Sequence, residues 1–288
     1  MSVHGNLCYY LCMTWLALSA ICSLIIANIL RYARQHELPF LPIMTMNYLQ
    51  AALVSVVLCL GNETMQATSL DVPLGIINSV LYVGGFLLYF EAVKNCGISI
   101  AVSVMRLSVA LPVLSGVLWF GEALSLYRFL GLLLMAVALI SIGRFSRATI
   151  SVKATAWLLL LFFVIGSSSV IDKAYNFYGN TGKNLYLAAL FFTAFLLSAL
   201  LTRLHRLRFS GLSVGIGLLL GIPNQATSLF LLMSLSTVDS VVAFPTLAIS
   251  VISGSMLCDR FIWGEPFTRK KLFLIATSMA AIVLLNVE

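Results

Sequence analysis

Charge is what this sequence has least of. Of its 288 residues, 9% are Asp, Glu, Lys or Arg and 61% are hydrophobic, whereas a soluble domain carries roughly 25% charged residues. Such a chain cannot cover itself with polar surface. That excludes a soluble globular protein and leaves an integral membrane protein. Histidine is scarce too: His4, His36 and His205 lie at the ends of apolar blocks, without the helical pairing a metal site needs. No Ser-His-Asp or Cys-His set is evident, and phosphate-loop and dinucleotide fingerprints are missing. The sequence therefore points to no enzyme, no metal, no cofactor and no ATP-driven pumping by this chain alone. Its six cysteines show no metal-type pairing, and most lie inside apolar blocks, where Cys behaves as a small hydrophobe. The net charge of +7 does not indicate a nucleic-acid partner, because the basic residues fall in short links between apolar blocks.

Those blocks fill the chain. Ten helices are expected, at roughly 7–30, 40–60, 74–93, 98–120, 126–143, 154–175, 185–203, 212–233, 238–260 and 270–287, each long enough to span or nearly span a hydrocarbon core about 30 Å thick. The first block lacks a basic leader and a small-residue cleavage site, so it reads as a retained span. Links are short, and the two longest, Gly61 to Pro73 and Asp172 to Asn184, have no room for a domain. The fold class is an all-α membrane bundle with antiparallel neighbours.

The two halves, 1–148 and 149–288, resemble each other. Gly75 to Gly131 runs helix, tight link, helix, then Gly121-Glu122-Ala123-Leu124-Ser125 and a further helix; Gly217 to Leu274 repeats the order around Gly264-Glu265-Pro266-Phe267-Thr268. An odd number of helices per half forces the second half to enter from the opposite face. The expectation is thus two inverted five-helix repeats, an architecture that places a binding site near the midplane.

The run from Glu91 through Met105-Arg106 to Pro112, continuing to Phe120-Gly121-Glu122-Ala123-Leu124-Ser125, together with the second Gly264-Glu265, resembles the drug/metabolite transporter superfamily and its ten-helix EamA-type branch. The resemblance covers nearly the whole chain. It implies a secondary transporter whose central cavity is lined mainly by helices 1, 3, 4, 6, 8 and 9, and it implies no particular substrate. The chain departs from the small multidrug-resistance relatives in having no acid in its first helix.

Of the 17 basic residues, Arg128, Lys173 and Lys183 lie in even-numbered links, Arg106 lies inside a span, and all the others flank odd-numbered links. Positive-inside reasoning puts the odd links in the cytoplasm and both ends of the chain outside, although the resemblance would more often suggest cytoplasmic ends. Asn62-Glu63-Thr64 matches a glycosylation sequon in an even link. Compact links point to a bacterial inner membrane, with a monomer or homodimer as the assembly.

Arg106 is the outstanding candidate for a solute site. A cation inside a span is disfavoured by about 2.5–3.5 kcal/mol on insertion scales, so it must meet an acid, backbone carbonyls or an anionic ligand. Its guanidinium suits a carboxylate or phosphate; alternatively it locks two helices by pairing with an acid. Pro223-Asn224-Gln225 places two amides in an apolar helix, where a broken helix would let them hydrogen-bond a ligand. Asn78 and Tyr82 share a helical face that Tyr89 continues. Pro112, Pro223 and Pro245 are candidate kinks for gating. Ser99, Ser103 and Ser167-Ser168-Ser169 read as close-packing positions.

Acids are few. Glu91, Asp172, Asp239 and Asp259 fall at span ends, and Glu122 and Glu265 are expected to cap the helices that follow them. A buried Arg without a central acid favours an anionic or zwitterionic solute. The expected function is therefore a secondary transporter of a small polar metabolite, amino acid or organic anion, by alternating access. A cationic drug exporter is the alternative, ahead of a non-transporting membrane scaffold.

Overall fold

The computed structural model describes residues 3–61, 68–96, 98–143, 152–179, 182–266 and 268–286. Every regular element among them is a helix. In chain order these are α1 (Val3–Gln35), α2 (Phe40–Leu60), α3 (Asp71–Cys96), α4 (Ile98–Leu107), α5 (Ala110–Trp119), α6 (Leu126–Gly143), α7 (Val152–Tyr178), α8 (Lys183–Leu204), α9 (Gly211–Ser234), α10 (Ser240–Phe261) and α11 (Arg269–Asn286). Among the described residues eight segments are long and apolar enough to cross a membrane, with α4 and α5 counting together as one of them; α6 and α11 carry shorter apolar stretches. Large apolar side chains such as Val57, Leu133, Phe163 and Met279 stand exposed. A membrane removes the penalty for this, since lipid covers them while the helix satisfies its own backbone.

Two expectations about elements need correction. The segment between Asp172 and Asn184 is not a long link, because α7 continues to Tyr178; Asp172 and Lys173 are helical residues. The fourth span is not one helix. It breaks at Ser108 and Val109 between α4 and α5, and Pro112 supplies the cause. Proline has no N–H to give the Ser108 carbonyl four residues back. The Leu111 N–H takes that carbonyl instead, at 3.0 Å, and Val109 N–H bonds the Arg106 carbonyl at 3.3 Å, so the turn tightens to 3₁₀ spacing. Conversely, α9 runs unbroken through Pro223, and α10 through Pro245.

The chain forms two compact units, and each draws on both halves of the sequence. The first comprises residues 1–83 and 174–237, the second residues 84–173 and 238–288. In the first unit, α2 packs on α8 and α9, and α1 packs on α9. Small residues permit the closest of these contacts. A Cβ on Gly217 would lie 2.5 Å from the Ile43 carbonyl oxygen, and one on Gly221 2.6 Å from the Asn47 carbonyl oxygen. This is the small-xxx-small approach of membrane helices. Because backbone cannot step aside, Gly221→Leu is expected to destabilise the first unit by about 3 kcal/mol, the upper end of overpacking. Gly215→Leu, at a glycine with open space around it, should leave the melting temperature unchanged in the same assay.

In the second unit, α6 packs on α11 and α4, and α10 packs on α5 and α11. One apolar cluster joins Ala92, Ile100, Ala101 and Leu161; another joins Met135, Ala248, Ile249, Ala281 and Leu285.

Candidate functional site

Arg106 occupies the last turn of α4, two residues before the break. That position follows from the sequence: the apolar run carries the helix into the membrane, and Pro112 interrupts it just beyond the guanidinium. The side chain is partly buried, and its Nε is buried with no hydrogen-bond partner. Among the described residues Arg106 makes no ion pair. Its ionisable neighbour is Tyr89 on α3. Among the described residues no acid pairs with Arg106 to lock two helices. An apolar cavity of about 220 Å³ lies alongside the break, with Leu107, Val113, Leu114 and Met135 in its wall. Arg106 is not part of that wall, and the wall offers a polar solute nothing.

The acidic residue of the Gly121-Glu122 corner does not cap the helix that follows it. Ser125 does that, accepting from the Arg128 N–H at 3.3 Å through its Oγ. Glu122 reaches instead to the start of α10. Its Oε1 accepts from the Ser240 N–H at 2.8 Å, and its Oε2 from the Val241 N–H at 2.9 Å and the Ser240 hydroxyl at 2.6 Å. Asp239, the residue before α10, makes no side-chain cap, so Glu122 supplies it from across the unit. Lys173 of α7 closes the arrangement, with Nζ 2.5 Å from Glu122 Oε1 and lying over the Phe120 ring. The pair is almost fully enclosed, with side chains 10% and 4% exposed. Burial raises the carboxyl pKa, but the bonds from Lys173, Ser240 and Val241 outweigh it and hold Glu122 below the ordinary carboxylate value. Gly116 leaves the necessary room, because a Cβ there would strike both the Glu122 carboxylate and the Ser240 hydroxyl.

The two Gly-Glu corners share one backbone device. Gly121 has φ +69° and Gly264 φ +71°, a left-handed conformation that favours glycine. Each following Glu sends its N–H back six residues, Glu122 to Gly116 and Glu265 to Asp259, both at 2.9 Å. Asp239, at a span end, pairs with Arg128 at 2.9 Å.

The first unit holds the other candidates. Asn78 is fully buried and donates to the Tyr186 hydroxyl at 2.6 Å, while Tyr186 stacks on Tyr175 with ring centroids 4.1 Å apart. Tyr82 is partly exposed and packs edge-on against Tyr48 and Phe191. Asn224 and Gln225 are buried at the middle of α9, and the Gln225 Nε2 has no hydrogen-bond partner. Glu91 accepts from Asn95 through its carbonyl and Oε2. Ser168 is buried, and Ser169 donates to the Ile165 carbonyl. The Asn62-Glu63-Thr64 sequon and the Ser99 side chain lie outside the described residues.

Sequence reasoning missed Lys173 and Ser240. A signal existed for Lys173: an Asp-Lys pair directly after an apolar run is also what a helix one turn longer than the apolar run looks like. Ser240 carried none, since its role depends on a carboxylate 118 positions away.

Residues 10–144 match the EamA-like transporter family. The long apolar helices support a multi-pass membrane protein, and the match, within the first half of the chain, is to a family of transporters. A solved structure named only "Crystal structure of protein" aligns with a TM-score of 0.78 over 94% of this chain and 96% of its own, at 15% identity; at that identity the likeness concerns the fold alone. No curated protein matches the chain.

Proposed function

We propose that this chain, whose residues 10–144 match the EamA-like transporter family, carries a small polar metabolite with an acidic group, an amino acid or organic anion, by alternating access. The reading is carried by Arg106: a membrane-embedded cation with a buried, unpartnered Nε and no ion pair among the described residues. A carboxylate ligand would supply both missing charge and missing acceptor. A single guanidinium suits a carboxylate of one negative charge better than a phosphate of two. Asn224, Gln225, Asn78 and Tyr82 serve as hydrogen-bonding groups, Asn78 through Tyr186. The α4–α5 break at Pro112 is the hinge, with Pro223 and Pro245 as secondary bending points.

The matching Gly-Glu corners support two five-helix repeats, here taken as inverted, with boundaries near 148 and 149. Charge distribution favours odd links in the cytoplasm, and a bacterial inner membrane is the proposed location. A cationic drug exporter is the weaker reading, because the spans offer a cation where such a substrate needs an acid.

A thermal-shift screen in detergent tests the proposal, with amino acids, organic acids, nucleotides, sugars and cationic drugs run on wild type beside Arg106→Ala. Ligand binding to the folded state raises apparent stability. An amino acid or organic acid should stabilise the wild type and not the variant; a cationic drug that stabilises both equally would overturn the reading.

A further inference from the structure

Four carboxamides sit near the midpoints of two helices in contact. Asn47 and Gln50 lie on α2, and Asn224 and Gln225 on α9. The glycine contacts fix their register. Gly217 meets Ile43, Met46 and the Asn47 N–H; Gly221 meets the Asn47 carbonyl and the Cβ and Cγ of Gln50. Rising numbers on one helix meet rising numbers on the other, so the helices run parallel through this contact. Gln225 is one turn beyond Gly221 on the same face, which brings it to the turn of α2 around and after Gln50.

Two of these side chains are incompletely satisfied. Asn47 and Gln225 are each 2% exposed. The Asn47 Oδ1 and the Gln225 Nε2 are buried without hydrogen-bond partners. Asn47 Nδ2 has only the Met44 sulfur at 3.6 Å, a weak acceptor. One lone acceptor and one lone donor thus lie on two contacting helices that carry no charged side chain. Buried polar groups are normally paired, and amides at mid-membrane depth persist where something polar meets them.

We propose that Asn47, Gln50, Asn224 and Gln225 form a subsite for an uncharged group that both donates and accepts hydrogen bonds, a carboxamide of the transported solute. The proposal rests on the transporter reading above and adds Asn47 and Gln50 as specificity-determining residues. Neutral amides offer no countercharge, so the subsite rejects an ionised group that Arg106 would accept.

The test uses the full chain in lipid nanodiscs carrying Gln50→Cys, with Asn47→Cys as a second variant should the first fail to fold. Each is treated with 2-aminoethyl methanethiosulfonate, and adducts are located by peptide mass spectrometry against the parent protein's own cysteines. The expected result is an adduct at the new cysteine that forms at least threefold more slowly in excess acetamide, with no slowing in equal acetate. No adduct in the folded variant would make the cluster a closed packing seam and overturn the proposal. An adduct indifferent to acetamide would make it a hydrated seam only, and would also overturn it. Failure of the Arg106 reading shows elsewhere, as organic-acid stabilisation that survives Arg106→Ala, so the two are separable.

Discussion

Arg106→Leu is expected to raise the melting temperature of the unliganded protein while abolishing its response to carboxylate ligands. The two effects have one cause. A cation in a span is disfavoured by about 2.5–3.5 kcal/mol on insertion scales, and a buried donor without a partner costs about 1–3 kcal/mol more. Arg106 has the unpartnered Nε and no ion pair among the described residues, so little offsets those terms in the empty protein. Leucine removes both. A ligand carboxylate, however, loses charge-assisted hydrogen bonds worth about 1.5–3 kcal/mol each, which is roughly ten- to a hundredfold in affinity per bond. Arg106→Lys should keep part of the charge attraction and lose the two-pronged geometry. Paired melting curves and ligand titrations on the three proteins separate the cases. If Arg106 were a structural lock, leucine would lower stability and leave binding intact.

What the sequence revealed about Arg106 was its depth; what it hid was its surroundings. Hydropathy located the spans because lipid exposure rewards apolar side chains whatever their tertiary partners. The α4–α5 break was hidden by the same signal, since from Leu107 to Leu118 the only polar side chains are those of Ser108 and Ser115. Pro112 was visible, but its consequence was not: whether a missing N–H bends a helix or breaks it depends on where the freed carbonyl finds a new donor. At Pro112 the Leu111 N–H captured it; at Pro223 the helix ran on. The two prolines look alike in the sequence.

The Gly-Glu corner shows the same division between local and distant causes. Glycine at φ +69° is a local necessity and could be read from the motif. The destination of the glutamate is a tertiary fact. The rule that acids favour helix N-termini held for Glu122, but the helix was α10 rather than its neighbour in sequence. Asp71 illustrates the more legible case, accepting from the nearby Thr68 N–H at 2.7 Å and hydroxyl at 2.8 Å, a local pattern at the start of α3.

Breaking the Glu122–Lys173 pair should produce the largest loss of stability of any single change in the second unit. Glu122→Leu leaves Lys173 charged in an enclosed site, and Lys173→Met leaves Glu122 so; removing one partner of a buried pair costs about 3–5 kcal/mol. The Glu122 change should be the worse, since it also strips two backbone N–H groups at the start of α10 of their acceptor. The double variant should recover part of the loss, because two apolar side chains leave no lone charge, while the uncapped N–H groups remain. Asp239→Asn, at the more exposed Arg128 pair, should change stability by less than about 1 kcal/mol. Acid gives an independent check. Glu122 is held below its ordinary carboxylate value in the folded protein, so its contribution is complete above the unfolded value of about 4.3. It is lost as pH falls through the lower folded value, where the unfolded chain already carries the proton. Melting temperature against pH should therefore fall on the acid side in wild type and flatten there in Glu122→Gln, which has no proton to take up. An equally steep acid fall in Glu122→Gln would place the sensitive carboxylate elsewhere, and a mild effect of Lys173→Met would mean that the α10 N–H groups alone hold Glu122 in place.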